Sequence, residues 1–167
     1  MIAGGELYAQ LSVPISPFTV SMLASPLNIL LADDDNDDNF FFNKALKEIN
    51  LDTHLTTVGD GERLMTYLST HTDLPDIIFL DLSMPRKTGF ECLAEIKEND
   101  LLNKIPIVVL STSFSRNLVY EENLKMRLKD MGAQSYINKP NDFAQLVDAI
   151  RKILEPISKN GLNQRAL

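Results

Sequence analysis

The stretch LLADDDNDDN, Leu30 to Asn39, sets five aspartates into positions 33–38, directly behind an aliphatic run. Carboxylates at that density can hold a hard cation, act as nucleophiles, or cap a following helix whose N-terminal partial charge they complement. Capping accounts for Asn36 to Asn39. It does not account for Asp33 and Asp34, which follow the hydrophobic run without a spacer and so sit at the edge of a core. Other aliphatic runs also end in reactive groups: DIIFLD ends in Asp81, PIVVL leads into Ser111 and Thr112, and SYIN leads into Lys139. Gathered in one crevice, Asp33, Asp34 and Asp81 would repel one another by roughly 4 kcal/mol per close pair at an effective dielectric near 20. Positive charge must compensate, either the ammonium of Lys139 or a hard divalent cation such as magnesium, which takes oxygen ligands and keeps several waters. A carboxylate beside magnesium, a lysine and a hydroxyl is a set that moves a phosphoryl group onto an aspartate. Metal and lysine neutralise the equatorial oxygens, the carboxylate attacks in line, and the hydroxyl hydrogen-bonds the product.

Residues so far apart in sequence need a scaffold that brings strand ends together. Short apolar runs at 28–33, 54–58, 76–81, 106–111 and 135–138 read as strands, and helical patterns separate them at 37–49, 61–70, 89–98, 117–131 and 141–155. Three of the runs are almost continuously aliphatic, as central parallel strands covered on both faces are. The last helix is the clearest: Phe143, Leu146, Val147, Ile150 and Leu154 recur at helical spacing, Asn141 or Asp142 can cap it, and Pro156 follows its expected end. In the preceding helix Tyr120, Leu124, Leu128 and Met131 form a core stripe closed by Gly132. Alternation of this kind predicts a doubly wound α/β sheet, with its ligand site outside the carboxyl ends of the strands.

A chain of 167 residues, 44% of them hydrophobic, favours one domain with an ordinary core. The net charge of -7 argues against a nucleic-acid partner, since the densest basic group is only Lys125, Arg127 and Lys129. Cys92 is the single cysteine, so no internal disulfide is expected, and His54 and His71 stand alone as surface residues rather than zinc ligands. Residues 1–26 contain no Lys or Arg and are interrupted by Pro14, Pro17 and Pro26, which fits neither a secretory signal nor a membrane helix. They read as a poorly ordered extension in which Met22 is a candidate alternative start.

The chain closely resembles the receiver domain of two-component response regulators over about Leu27 to Glu155. The resemblance is carried by LLADD at 30–34, PDIIFLDLSMPRKTGFE at 75–91, IPIVVLST at 105–112 and GAQSYINKP at 132–140, in order and on the expected strands. It implies a flavodoxin-like (βα)5 fold with strand order 2-1-3-4-5. It further implies Asp81 as phosphoacceptor, Asp33 and Asp34 as the acidic pair that holds Mg2+, and the backbone carbonyl of Ser83 as a further metal ligand. Ser111 stands where the family holds the phosphoryl group, Lys139 is the salt-bridge partner, and Pro140 follows it as in relatives with a cis peptide. Tyr136 matches an aromatic switch that turns inward with the hydroxyl residue. The family signals through the face of the fourth helix, fifth strand and fifth helix by a population shift, and commonly pairs there as a homodimer. A sensor histidine kinase or histidine phosphotransfer protein is the implied donor, a downstream protein the implied recipient, and the cytoplasm the implied location. The implied role is a phosphoacceptor that assists its own phosphorylation and dephosphorylation, not a turnover enzyme.

The chain departs from that pattern in places. Ser111 and Lys139 are 28 positions apart, roughly two helical turns more than usual. The extra residues fall in 113–123, where they either lengthen the fourth helix or form a loop. Thr112 is bulkier than the small residue often found there and, with Ser113, is expected to modulate access of water and slow autodephosphorylation. Residues 156–167 read as a short tail with no output module. Two other readings compete. A haloacid-dehalogenase-like phosphatase would use Asp33 or Asp35 as nucleophile, but expects Thr or Val where Asp37 stands. A calcium loop fails on Asp38 and Lys44, which occupy its glycine and glutamate positions.

Overall fold

Aliphatic runs of this length form strands because both faces of a parallel sheet bury them. In the structure, a computed structural model that describes residues 25–112 and 118–164, β1 (Leu27–Ala32), β2 (Thr53–Val58), β3 (Ile77–Asp81), β4 (Ile107–Ser111) and β5 (Ser135–Asn138) make one sheet. All pairings are parallel and the order is β2-β1-β3-β4-β5. The helices α1 (Asn36–Ile49), α2 (Gly61–Thr70), α3 (Gly89–Glu98), α4 (Leu118–Asp130) and α5 (Phe143–Gln164) fill the connections. This is the flavodoxin-like doubly wound fold that the alternation and the resemblance together predict.

Residues alternate along each strand between two cores. Leu30, Ala32, Ile78, Leu80, Ile107 and Val109 face Leu64, Leu68, Leu93, Ile96 and Leu128 of α2, α3 and α4. Ile29, Leu31, Ile77, Phe79, Val108 and Leu110 face Phe42, Leu46, Val147, Ile150 and Leu154 of α1 and α5. Phe42 meets Phe79 edge-on at 4.8 Å between ring centroids, which pins α1 to the middle of the sheet. Both histidines are exposed, and Cys92 is buried without a disulfide.

The helix ends explain how the loops are held. Asp35 caps α1 by accepting the backbone N–H of Asp37 and Asp38, and Asp60 caps α2 by accepting that of Arg63. Thr88 and Glu91 form a capping box on α3. Of the two candidate caps for α5, Asp142 is the one used, accepting the Gln145 N–H at 3.0 Å.

The structure corrects three expectations. Helix α5 does not stop at Glu155: it runs through Pro156 to Gln164. Burial of Leu154 and packing of Ile157 on the α1 and α5 core hold that turn, despite the hydrogen bond a proline removes. Tyr120 does not join the core stripe of α4. Leu124, Leu128 and Met131 pack inward, whereas Leu118, Val119 and Tyr120 at the start of α4 are all exposed. The bond before Pro140 is trans, since the described residues contain no cis peptide; trans is the isomer X-Pro bonds favour without tertiary constraint. Of the 113–123 insertion, residues 118–123 are helical and extend α4; residues 113–117 lie outside the described residues, as do residues 1–24 of the N-terminal extension.

Candidate functional site

The register brings one set of strand ends together. Ala32 pairs with both Val58 and Leu80, Asp81 with Leu110, and Ser111 with Asn138. Asp33 follows β1 by one residue, with its N–H donated to the Val58 carbonyl at 3.0 Å. Lys139 follows β5 by one residue, with its N–H donated to the Ser111 carbonyl at 2.9 Å. Each side chain is thus placed by a ladder hydrogen bond, a firmer support than a free loop.

Lys139 Nζ is the hub of this crevice. It lies 2.7 Å from Asp33 Oδ2, 2.7 Å from Asp38 Oδ2 and 2.9 Å from Asp81 Oδ1. The remaining oxygens of the inner pair are also engaged. Asp33 Oδ1 accepts the Asp35 N–H at 3.0 Å, and Asp81 Oδ2 accepts the Ser83 N–H at 2.6 Å. Asn39 Nδ2 donates to the Asp33 carbonyl at 3.1 Å. Burial disfavours the charge on Lys139, but its hydrogen bonds to Asp33, Asp38 and Asp81 outweigh that, and its pKa is raised. For Asp33 the balance goes the other way: burial raises its pKa despite the bond to Lys139. One ammonium among three carboxylates leaves the inner aspartate incompletely compensated.

Asp34, directly after Asp33, and Ser83, two residues after Asp81, are exposed, Thr112 is exposed beyond β4, and Ser111 is half-buried at its end. Ser113 lies outside the described residues. The acidic donors are all oxygens, which suits a hard cation such as Mg2+ rather than zinc or copper. They are not drawn into a ready-made cage: among the described residues no three His, Cys, Asp or Glu side chains converge as a metal site. Asp35, an alternative nucleophile by the phosphatase reading, is exposed and uses its Oδ1 on the first turn of α1.

Tyr136 sits on β5 opposite Val109, packed against the α2, α3 and α4 core. Its hydroxyl is buried and has no hydrogen-bond partner among the described residues. Lys125 Nζ lies 5.8 Å from the ring centroid, so α4 covers this aromatic residue.

Sequence reasoning missed two contributions. Asp38 lies on the first turn of α1, and its side chain also reaches Lys139. The available signal was its offset of three residues from the cap, the capping-box position, which places a carboxylate near the helix entry. Asp60 is fully buried and paired with Arg63 and Arg86. The Arg86 contact holds its carboxyl down to about 2, against the opposing effect of burial. Arg86 has φ 66°, a left-handed conformation that costs a non-glycine residue about 1 kcal/mol or more. The ion pair ties the loop after Asp81 to the start of α2. Gly89 closes that loop, and a Cβ there would collide with the Asp81 carbonyl oxygen.

Comparison with known proteins gives these strand ends a family. Response regulator Rcp1 of Synechocystis sp. is 32% identical over 133 residues, covering 77% of this chain and 86% of its own. The probable methanogenesis regulatory protein FilR2 of Methanothrix harundinacea is 31% identical, covering 78% and 83%. The phosphorylated cyanobacterial phytochrome response regulator RcpA superposes with a TM-score of 0.68 at 34% identity, over 78% of this chain and 93% of that one. The Mn(2+)-bound form of Rcp1 gives a TM-score of 0.66 at 31% identity, over 77% and 91%. Residues 29–151 match the family model of the response regulator receiver domain. With its sheet order, its strand-end acids and most of its length accounted for in this way, the chain belongs to the response regulator receiver family, whose members act in phosphorelay signalling.

Proposed function

We propose that this receiver accepts a phosphoryl group on Asp81 from a histidine kinase or a histidine phosphotransfer protein. The observation that carries this reading is the Lys139 ammonium bound at once to Asp81 and Asp33. Asp81 is buried at the end of the central strand, with a cation beside one oxygen and a backbone N–H on the other. An Asp81 oxygen forms the new P–O bond while the P–N bond of a phosphohistidine, or the P–O bond of an acyl phosphate, breaks and its electron pair leaves with the donor. Lys139 balances charge on the transferred oxygens, and the Ser111 hydroxyl hydrogen-bonds the product.

Asp33, Asp34, Asp81 and the Ser83 carbonyl would hold Mg2+, which when bound supplies further neutralisation of the phosphoryl oxygens. Tyr136 and Ser111 form the switch in this reading. The Tyr136 hydroxyl, without a partner among the described residues, supports it, because a buried O–H without an acceptor gains by rotating to find one. The signal passes to a downstream protein through α4, β5 and α5, which is also the face for a homodimer. Thr112 and Ser113 modulate the lifetime. The cytoplasm is the setting that the family resemblance implies.

The test is incubation with Mg2+ and a small acyl phosphate, followed by intact-mass measurement. A phosphoryl increment is expected in the wild type and not in Asp81→Asn. An increment that survives this substitution, or that maps to Asp33, overturns the assignment.

A further inference from the structure

Lys139 has three carboxylate partners, and they are not equivalent. Asp33 and Asp81 have side chains only 2% and 7% exposed, whereas that of Asp38 is 38% exposed. The first two are fixed at both oxygens, by Lys139 on one side and by a backbone N–H on the other. Asp38 sits on the first turn of α1, where rotation of its side chain takes it into water without disturbing the strand ends.

From this geometry we infer that Asp38 is the exchangeable counter-ion of Lys139, a positioning residue that holds the ammonium before phosphorylation and is displaced by the phosphoryl group. The inference rests on the proposed phosphorylation of Asp81. Transfer replaces one carboxylate charge by a phosphoryl group of about two negative charges. The three N–H donors of the ammonium are already shared by three carboxylates, so the added negative charge loosens its hold on the partner that leaves at least cost. Asp33 cannot leave without stranding a charge in the core. Asp38 can, and it is rehydrated as it goes. Because Asp38 competes with the phosphoryl group for the same cation, it weakens phosphoryl retention and sets the resting bias of the receiver toward the unmodified state.

Asp37 provides the control. It carries the same charge on the same turn and is exposed, with no ion pair to Lys139 among the contacts described. Beryllofluoride, a phosphoryl mimic, would be titrated at saturating Mg2+ into wild type, Asp38→Asn, Asp38→Glu and Asp37→Asn. The Lys139 and Ser111 amide resonances would report binding, and urea melts would check folding. Expected is a two- to fivefold tightening in Asp38→Asn, about the worth of one partly exposed ion pair. Asp38→Glu should bind as wild type does, and Asp37→Asn should change little. Decay of the acyl phosphate, followed by mass, should slow by a similar factor in Asp38→Asn alone. Equal tightening in Asp37→Asn and Asp38→Asn would reduce the effect to the general negative field and overturn the inference, as would unchanged or weaker binding in Asp38→Asn. If wild type itself neither binds beryllofluoride nor gains a phosphoryl group on Asp81, the functional reading fails as well. Binding by wild type with no difference in Asp38→Asn defeats the counter-ion role alone.

Discussion

Lys139 Nζ lies 2.7 Å from Asp33 Oδ2, across 106 positions of sequence. The crossovers of the parallel sheet bring residues so distant to one crevice, and this pair is its electrostatic floor. In Lys139→Ala the buried Asp33 and Asp81 lose their cation. Stability at neutral pH is expected to fall by about 1–3 kcal/mol, the cost of leaving buried charges unpaired. Added Mg2+ should recover part of that loss, because a divalent ion can take the place of the ammonium. Urea unfolding with and without Mg2+ measures both effects, and unchanged stability would contradict the floor role.

The Asp60 and Arg86 ion pair should appear as an acid-side dependence of stability. The folded carboxyl is held at about 2 against an ordinary 3.8. A depressed folded pKa means that the stabilisation is fully present above about pH 4 and is lost as the pH falls toward 2. Asp60→Asn keeps a good helix cap but removes the charge. It is expected to be less stable than wild type at pH 6, with the gap closing between pH 4 and pH 2. A gap independent of pH, read from urea midpoints, would assign the loss to packing instead.

Gly89→Ala places a methyl group against the carbonyl oxygen of Asp81 and the Cα of Leu82. Backbone cannot yield as a side-chain tip does, so the loop carrying Ser83 must shift. A loss of about 1–3 kcal/mol is expected from the overpacking. Slower labelling of Asp81 by acyl phosphate should accompany it. Normal stability with normal labelling would show that the loop tolerates the methyl group.

Pro156 interrupts the hydrogen-bond ladder of α5, leaving the Lys152 carbonyl without its helical donor. Pro156→Ala restores that donor. Slower amide hydrogen exchange is expected around positions 154–160, with a gain in stability of up to about 3 kcal/mol. Exchange as fast as in the wild type would show that this turn is held by Ile157 packing alone.

Much of the scaffold was legible in the residue pattern, because doubly buried strands need continuous aliphatic runs and the helices between them need apolar stripes. The five runs and five helical patterns each returned as an element, and the motif residues Asp33, Asp81, Ser111 and Lys139 sit where those runs end. Side-chain partnership across the crossovers was not legible. Whether Asp38 serves its own helix or Lys139, whether Tyr120 meets the sheet, and whether α5 survives Pro156 all depend on distances between elements. Sequence by itself determined which residues end each strand, since burial periodicity is local. Tertiary structure alone decided which carboxylates share the one ammonium, since electrostatic pairing depends on separation in space and on exclusion of water.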